Sequence, residues 1–342
     1  MKRGINIIFA GLLFIVLFLL VLNLWYGSAE TGFFEVLSSI AGVGGDETID
    51  TIVLLYRLPQ AVTALSTGIA LGLAGLILQT LFRNSLAGPS VLGISAGASF
   101  GVAVAVLWGS FGSMFLLRGV AADIITVLFA FGGALSVLSV ILYVSQRIRN
   151  VVTILIIGIM TGYIVSALVS VMQFFGRSQD VYSFVVWGLG SFSKTDNYQS
   201  LFLLAVALAG FVMLMFYIKP LNALLMGEVY ARSIGFRVKR VRVVLFAVSG
   251  IFIAATTAYT GPIGFIGLAV PHLARSVFKT SDHSVLIPAV AITGAIVALL
   301  CNLAAKLPGM DISLPINAVT PLIGAPVVIW VLLKRGNGWN KD

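Results

Sequence analysis

The amino-acid sequence predicts an all-α polytopic membrane protein. Of its 342 residues, 59% are hydrophobic and only 10% are charged, and the mean hydropathy is +1.09. A water-soluble globule of this length needs a polar surface, which this composition does not supply. The apolar residues form long runs such as Ile5–Trp25 and Leu201–Ile218, near the roughly 20 residues that a helix needs to cross a bilayer. Because the runs lack the apolar–polar alternation of membrane β-barrels, we predict helices.

The apolar runs predict about ten transmembrane helices in a single transmembrane domain that covers residues 1–342. The predicted spans are 5–25, 57–82, 93–110, 121–144, 152–175, 197–218, 239–260, 264–279, 284–306 and 315–334. The first run is longer than the apolar core of a secretion signal, which has roughly 7–15 residues. We therefore expect it to be a retained helix.

The basic residues predict that both termini lie in the cytoplasm. With the N-terminus inside, five of the 21 basic residues fall outside and the others inside, as the positive-inside rule requires. The five are Arg57, Arg118, Arg177, Lys194 and Lys306. An even number of spans also places Lys334, Arg335 and Lys341 in the cytoplasm. Residues 31–52 mix apolar and polar side chains, which predicts a short amphipathic helix at the outer surface.

The spans and loops argue against several functions. Almost no ionisable residue lies deep in a predicted span, whereas gradient-driven carriers and voltage sensors usually need such groups. The single cysteine, Cys301, excludes an internal disulfide and a cysteine metal cluster, and the histidines and carboxylates lack metal-ligand spacing. The segment Gly93–Gly101 lacks the Gly-Lys-Ser/Thr of a phosphate loop. Scattered basic residues do not form a nucleic-acid surface.

Small residues recur at helical spacing in several spans. Gly68 and Gly72, and likewise Gly93, Gly97 and Gly101, predict faces where helix backbones approach closely.

A mildly polar stripe follows the span 152–175. It consists of Gly158, Gly162, Ser166, Ser170 and Gln173. The stripe fits a packing seam and equally a pore wall for a bulky, weakly polar solute, and the sequence leaves both interpretations open.

Four motifs carry more specific information. They are Tyr56–Gln60 with Arg83–Gly93, Gly227–Gly235 in a loop at about 219–238, Gly261–Arg275, and Leu314–Thr320 with Gly324–Pro326. In this order they closely resemble the permease subunits of ABC importers for ferric siderophores, haem and vitamin B12, from about Arg57 to the C-terminus. The resemblance implies a transport subunit of the bacterial inner membrane that is not itself an enzyme.

The resemblance also implies the partners. They are a second permease copy, as a homodimer or a paralogue, two cytoplasmic ATPase subunits that bind ATP and Mg²⁺, and an extracytoplasmic solute-binding protein. No cofactor is expected on this chain.

The Gly227–Gly235 motif resembles the helix that couples such permeases to their ATPases. Its expected coupling residues are Gly227, Glu228, Ala231, Arg232 and Gly235. A bulky residue at Ala231 or Gly235 is expected to uncouple ATP hydrolysis from uptake. The alternative interpretation is an ordinary basic loop held by anionic lipid.

Arg57 and Lys306 are expected at the outer ends of their spans. In the family, basic residues at this mouth pair with acidic residues of the binding protein, which would steer docking. Gln60 departs from the family, in which many relatives carry a second basic residue. The alternative is that Arg57 and Lys306 reach the lipid headgroups.

The remaining motif residues are expected to shape turns and bends. Arg83, Asn84, Pro89 and Gly93 predict a tight cytoplasmic turn, in which Ser85 replaces the family's proline. The other structural positions are Gly261, Pro262, Gly264, Pro271, His272 and Arg275, where the prolines are expected to bend the helix that follows Gly261.

The function expected from these patterns is import of an iron chelate (ferric siderophore or haem) or cobalamin by ATP-driven alternating access. Gly162, Ser166, Ser170 and Gln173 are the expected translocation path. One alternative is a gradient-driven secondary transporter of a bulky organic solute. Another is a membrane enzyme acting on lipids or peptides, although no nucleophile–base or metal constellation supports it.

Overall fold

The structure is a computed structural model that describes residues 2–27, 29, 31–42, 46–108, 120–148, 150–306 and 313–336. The described residues form fifteen α-helices, which confirms the predicted all-α class. They are α1 (Lys2–Trp25), α2 (Phe33–Ala41), α3 (Glu47–Thr51), α4 (Leu58–Leu81), α5 (Ile94–Ala103), α6 (Val120–Arg147), α7 (Val151–Phe175), α8 (Ser178–Gly188), α9 (Asn197–Phe216), α10 (Ile218–Met226), α11 (Glu228–Ser233), α12 (Val238–Thr260), α13 (Ile266–Phe278), α14 (His283–Ala305) and α15 (Ile316–Gly336).

Seven described helical stretches are long and apolar enough to cross a membrane. They are Gly4–Trp25, Glu47–Leu81, Asp123–Arg147, Val151–Phe175, Asn197–Phe216, Val238–Thr260 and His283–Ala305. Two shorter apolar helices, Ile94–Leu107 and Ile266–Phe278, and α15 coincide with the three other predicted spans. A polytopic membrane protein is confirmed, whereas the number ten and the cytoplasmic termini stay predictions. Of the basic residues on which the orientation was predicted, Arg118 and Lys341 lie outside the described residues.

The second predicted span begins earlier than expected. The side chain of Asp46 accepts a hydrogen bond from the backbone amide of Thr48 at 2.9 Å and starts α3. A π-helical segment, Ile52–Arg57, then joins α3 to α4. This wider turn lies directly before Pro59, which cannot donate a backbone hydrogen bond. The predicted outer amphipathic helix is thus divided into α2 and the start of a longer helix.

Two further boundaries differ from the sequence expectations. Helix α8 was not predicted, because Ser178–Gly188 mixes apolar and polar residues in a segment too short for a span. The chain from Gly261 to Gly264 is not helical, and α13 begins at Ile266. Pro262 therefore precedes the helix that it was expected to bend, whereas Pro271 lies inside α13.

The backbone contacts divide the chain into two compact units. The first contains Met1–Leu73, Ser191–Val212 and Phe265–Asp342, and the second contains Ala74–Gly190 and Met213–Gly264. The single-domain assignment stays a prediction.

In the first unit, α14 is the central helix and packs against α1, α13 and α15. Gly68 of α4 and Gly294 of α14 face each other so closely that a Cβ added to either would overlap the other's backbone carbonyl. A Cβ on Gly72 would lie 3.1 Å from the side chain of Val270. The predicted close-packing role of Gly68 and Gly72 is confirmed.

In the second unit, α5 packs against α6, α7 and α12. A Cβ on Gly97 would lie 2.5 Å from the carbonyl oxygen of Gly133, and one on Gly101 would overlap the carbonyl of Phe129. Gly93 precedes α5 with φ +70°, and a Cβ there would lie 2.8 Å from the carbonyl oxygen of Gly158. The close-packing prediction for these glycines is therefore also confirmed.

Replacing Gly93 by alanine is expected to destabilise the protein. The left-handed backbone conformation disfavours an L side chain by about 1–2 kcal/mol, and the new Cβ would press on α7. We expect a lower melting temperature of the detergent-solubilised protein. The matched control is Gly132→Ala in α6, where a Cβ meets nothing within 4 Å and alanine favours the helix. Equal melting temperatures for the two variants would contradict the packing role of Gly93.

Candidate functional site

The predicted coupling motif folds into the short helix α11 between two glycines with positive φ. Gly227 has φ +116° and separates α10 from α11, and Gly235 has φ +93° after the end of α11. The amide of Phe236 donates to the carbonyl of Ala231 at 3.0 Å and closes the turn. Ala231 is 1% exposed. A bulky residue at this position would therefore displace α11 from the protein.

Glu228 holds α11 in place through two arginines. It forms an ion pair with Arg232 at 3.0 Å and a second ion pair with Arg242. The side chain of Arg242 is 4% exposed and also donates to the carbonyl oxygen of Ile148 at 3.2 Å. Since Arg242 belongs to α12 and Ile148 follows α6, this network ties α11 to both helices. A buried charge that is paired and hydrogen-bonded gives a fixed geometry, and removing one partner is costly.

Four apolar side chains of the α10–α11 segment are exposed, beside the exposed polar Arg232 and Ser233. Met226 is 71% exposed, Val229 82%, Tyr230 48% and Ile234 49%. Contiguous exposed apolar side chains are typical of contact surfaces. Sequence reasoning chose the glycines and the charged residues and missed these four. The sequence alone gave little signal for them, because buried apolar residues such as Leu221 and Leu224 stand in the same loop.

Arg57 lies beside the C-terminus of α1. Its guanidinium donates to the carbonyl oxygens of Leu24 at 2.9 Å, Trp25 at 2.8 Å and Ala29 at 2.6 Å, and to the hydroxyl of Thr31 at 2.8 Å. These bonds satisfy carbonyls that the end of a helix leaves unpaired. Arg57 is only 5% exposed.

Lys306 also contacts the end of α1. Its ammonium group donates to the carbonyl oxygens of Asn23 at 2.7 Å and Tyr26 at 3.3 Å. The side chain of Asn23 accepts from Asn302, whose own oxygen accepts from Gln60 at 3.1 Å. This polar network joins α1, α4 and α14, and its two asparagines were missed by sequence reasoning.

Arg57 and Lys306 were expected to contact either a binding protein or the lipid headgroups, and the structure shows a third kind of contact. Each side chain is buried, and each charged group donates to carbonyls of the same chain. Lipid snorkelling is therefore wrong for this conformation. Docking to a binding protein stays a prediction, and it would require these groups to serve a partner in addition to α1.

The predicted translocation stripe on α7 is divided between two environments. Gly158 is buried, and a Cβ there would lie 3.1 Å from the carbonyl oxygen of Val91. Ser166 and Ser170 are exposed, whereas Gly162 and Gln173 are half-buried. The packing seam is thus confirmed at Gly158. The role of the other four in a pore stays a prediction.

The motif after α4 forms hydrogen-bonded turns. Arg83 is exposed with φ +48°, and the side chain of Asn84 accepts from the amide of Leu86 at 2.9 Å. Pro89 begins a short 3₁₀ turn that ends at Leu92. Hydrogen-bonded turns therefore connect α4 to α5, whereas a single tight turn in the cytoplasm stays a prediction.

The third motif surrounds the start of α13. Gly261 has φ +74°, and a Cβ there would lie 2.5 Å from the carbonyl oxygen of Trp187. Pro262 and Gly264 are half-buried in the non-helical segment. Pro271 and His272 are buried within α13, and Arg275 is half-buried. Among the described residues, no group of three or more His, Cys, Asp or Glu side chains could hold a metal ion.

Comparison with known proteins places these features in a family. The sequence model of the FecCD transport family matches residues 14–334 of this chain. The chain belongs to the FecCD transport family. It is 37% identical over 280 residues to the vitamin B12 import system permease protein BtuC of Shigella sonnei, covering 82% of this chain and 83% of that protein. BtuC of Escherichia coli K12 shows the same identity and coverage.

Solved structures agree with this family. A proposed metal-chelate type ABC transporter in an inward-facing conformation matches with a TM-score of 0.81 and 29% identity, covering 96% of this chain and 99% of that chain. PsaBC from Streptococcus pneumoniae in complex with Fab matches with a TM-score of 0.53 and 16% identity over 86% of this chain and 95% of that chain. The second likeness concerns the fold alone.

Replacing Arg57 by glutamine is expected to lower the stability of the protein. The change removes the donor of the buried carbonyl of Leu24 and of the partly buried carbonyls of Trp25 and Ala29, which costs roughly 2 kcal/mol. The expected readout is a lower melting temperature in detergent. The control is Arg240→Gln, which removes the same charge at an exposed position. An unchanged melting temperature for the Arg57 variant would show that its hydrogen bonds to the end of α1 are dispensable.

Proposed function

We propose that this chain is the permease subunit of an ATP-driven importer of the bacterial inner membrane, and that α11 transmits movement from an ATPase subunit. The observation that carries the proposal is the geometry of α11. One side is locked to α12 and to the end of α6 through Glu228 and Arg242. The opposite side presents exposed apolar residues. Family membership supports the assignment and argues against an enzymatic role for the chain itself.

The contacts of α11 suit the transmission of force. A partner that presses on Val229 or Tyr230 would move α11, and the charge network would pass the displacement to α12 and α6. Transmission needs such a stiff connection, because a mobile loop would absorb the movement. The two glycines with positive φ at the ends of α11 supply the turns that present it.

The translocation step is proposed to occur between two permease copies by alternating access. The support comes from α7. Few of its residues are buried within the chain, and the exposed side chains include Tyr163, Phe174 and Phe175. Such a helix has surface available for lipid, for a second copy or for a passage. Ser166 and Ser170 are proposed as weakly polar wall residues of that passage.

The cargo is proposed to be an iron chelate, either a ferric siderophore or haem, or cobalamin. The relatives named BtuC are vitamin B12 permeases, and the solved neighbour is described as a metal-chelate transporter. A large chelate suits a passage lined by small and weakly polar groups, because its metal needs no ligand from the wall. An extracytoplasmic binding protein would then select the cargo, with Arg57 and Lys306 proposed at the docking mouth.

Changing Val229 to aspartate is expected to weaken association with the ATPase subunit. Placing an unpaired carboxylate in an apolar contact costs several kcal/mol, and a loss of 1.4 kcal/mol is roughly tenfold in affinity. We expect the affinity for the ATPase subunit, measured by copurification, to fall at least roughly tenfold. ATP-driven uptake should fall with it. The control is Tyr198→Asp, an 86% exposed residue in the first turn of α9. Equal ATPase binding by the two variants would contradict the role of α11.

The cargo can be tested with the assembled importer. The permease, its ATPase and its binding protein are reconstituted in vesicles, and ATP hydrolysis is measured with cobalamin, haem and several ferric siderophores in parallel. One class is expected to stimulate hydrolysis and to accumulate inside. Accumulation by vesicles that contain this chain without an ATPase would instead support the gradient-driven alternative.

A further inference from the structure

A basic cavity of about 500 Å³ lies where the end of α6, α11 and the start of α12 meet. All of its walls belong to the second unit. Five of its ten lining residues carry a positive charge: Arg147, Arg232, Arg237, Lys239 and Arg242. A cavity of this composition attracts anions.

The charge of the cavity is only partly compensated. Glu228 pairs with Arg232 and Arg242. Arg147, Arg237 and Lys239 are exposed, and within the described residues none of them forms an ion pair. Three cationic side chains therefore remain available at one opening. Guanidinium groups favour phosphate because they donate two parallel hydrogen bonds to it.

The surface beside the cavity is apolar. Val140 and Tyr143 are 44% and 61% exposed, and they share a face of α6 with Arg147, since positions three, four and seven apart align on a helix. The guanidinium of Arg147 lies 5.5 Å from the ring centre of Tyr143. The helix belongs to a membrane-length apolar stretch, and tyrosine is enriched at the headgroup level of bilayers. The cationic pocket therefore lies at the end of a membrane-length helix whose neighbouring apolar side chains are exposed.

We propose that this cavity binds the phosphate of an anionic phospholipid headgroup, with the acyl chains lying along the Val140 and Tyr143 face. Arg147, Arg237 and Lys239 would donate to the phosphate oxygens. A free phosphate ion shares the headgroup chemistry, but it would leave the adjoining apolar face unused. The proposed lipid contacts use the basic side chains of the segment, whereas the proposed ATPase contact uses its exposed apolar side chains. Separate variants can therefore test the two proposals.

The bound headgroup would also act on the position of α11. Arg232 and Arg242 line the cavity and are both partners of Glu228. A phosphate in the cavity competes with the carboxylate of Glu228 for these arginines. The lipid composition of the membrane would thereby alter how firmly α11 is held.

The test uses the full-length chain in detergent and native mass spectrometry. Phosphatidylglycerol and the zwitterionic phosphatidylcholine are titrated separately onto the wild type, the double variant R237Q/K239Q and the single variant R147Q. Basic residues near a membrane surface favour the binding of anionic lipids. We therefore expect the double variant to bind phosphatidylglycerol roughly tenfold more weakly than the wild type. Binding of phosphatidylcholine should not change.

The control is K219Q/K279Q, which removes two charges from exposed positions outside the cavity and should retain phosphatidylglycerol binding. Equal losses in the two double variants, or no preference for phosphatidylglycerol in the wild type, would overturn the proposal. Inorganic phosphate is added in a separate arm. If it binds with the same sensitivity to the variants and displaces no lipid, the cavity is a site for free anions and the lipid assignment is wrong.

Two further measurements distinguish a specific loss of lipid binding from misfolding and from loss of the ATPase contact. Melting temperatures identify a variant that fails to fold, and R147Q then replaces the double variant. Copurification of the ATPase is measured in parallel. If R237Q/K239Q loses the ATPase while phosphatidylglycerol binding persists, the basic cavity belongs to the protein partner and the lipid proposal fails. Loss of lipid with retained ATPase supports the proposal and leaves the coupling role of α11 unaffected.

Discussion

Backbone contact between helices at glycine is the constraint on which the rest of this structure depends. In lipid, apolar side chains gain little by leaving one apolar environment for another, so association relies on close packing. Gly68 and Gly294 bring α4 and α14 together, and Gly97 and Gly101 bring α5 against α6. At each of these glycines a single methyl group would meet a backbone carbonyl. The absence of side chains at these glycines therefore sets the distances between the helices. Those distances in turn fix where the polar side chains on the same helices lie.

The second constraint is that buried polar groups must find partners inside the protein. Arg57 and Lys306 meet it by donating to the last carbonyls of α1, and the amides of Asn23, Asn302 and Gln60 meet it by pairing with one another. A charge buried in this way stabilises a helix end and at the same time loses its freedom to meet another molecule. Any docking role of Arg57 and Lys306 must therefore work through, or compete with, the anchoring of α1.

The segment around α11 separates two kinds of surface within a few residues. Val229 and Tyr230 form an apolar face suited to a protein, whereas Arg237 and Lys239 belong to a cationic cavity suited to phosphate. The two sequence interpretations of this loop, a coupling helix and a basic loop held by anionic lipid, thus concern different side chains. Glu228 connects them, because its arginine partners also line the cavity. An anion bound in the cavity would therefore compete with the carboxylate of Glu228 for the same arginines.

The sequence by itself determined the membrane class, the approximate positions of the long apolar helices and the family. Hydrophobic runs specify helices in lipid because backbone groups there must bond within their own segment, and motifs such as Gly227–Gly235 and Gly261–Arg275 lie in continuous stretches of chain. The hydrogen-bonded turn at Asn84 was also predictable, since its residues bond to near neighbours.

Only the tertiary structure decided what the charged and exposed residues do. It joined Arg57 to the end of α1, linked Asn23 to Asn302, and assembled Arg147 and Arg237 around one cavity. These partners are far apart along the chain, and no local pattern specifies which distant groups will meet. It also separated Ala231, which is buried, from Val229, which is exposed. That distinction depends on which side of α11 faces the protein, and a helix of six residues is too short for periodicity to reveal it.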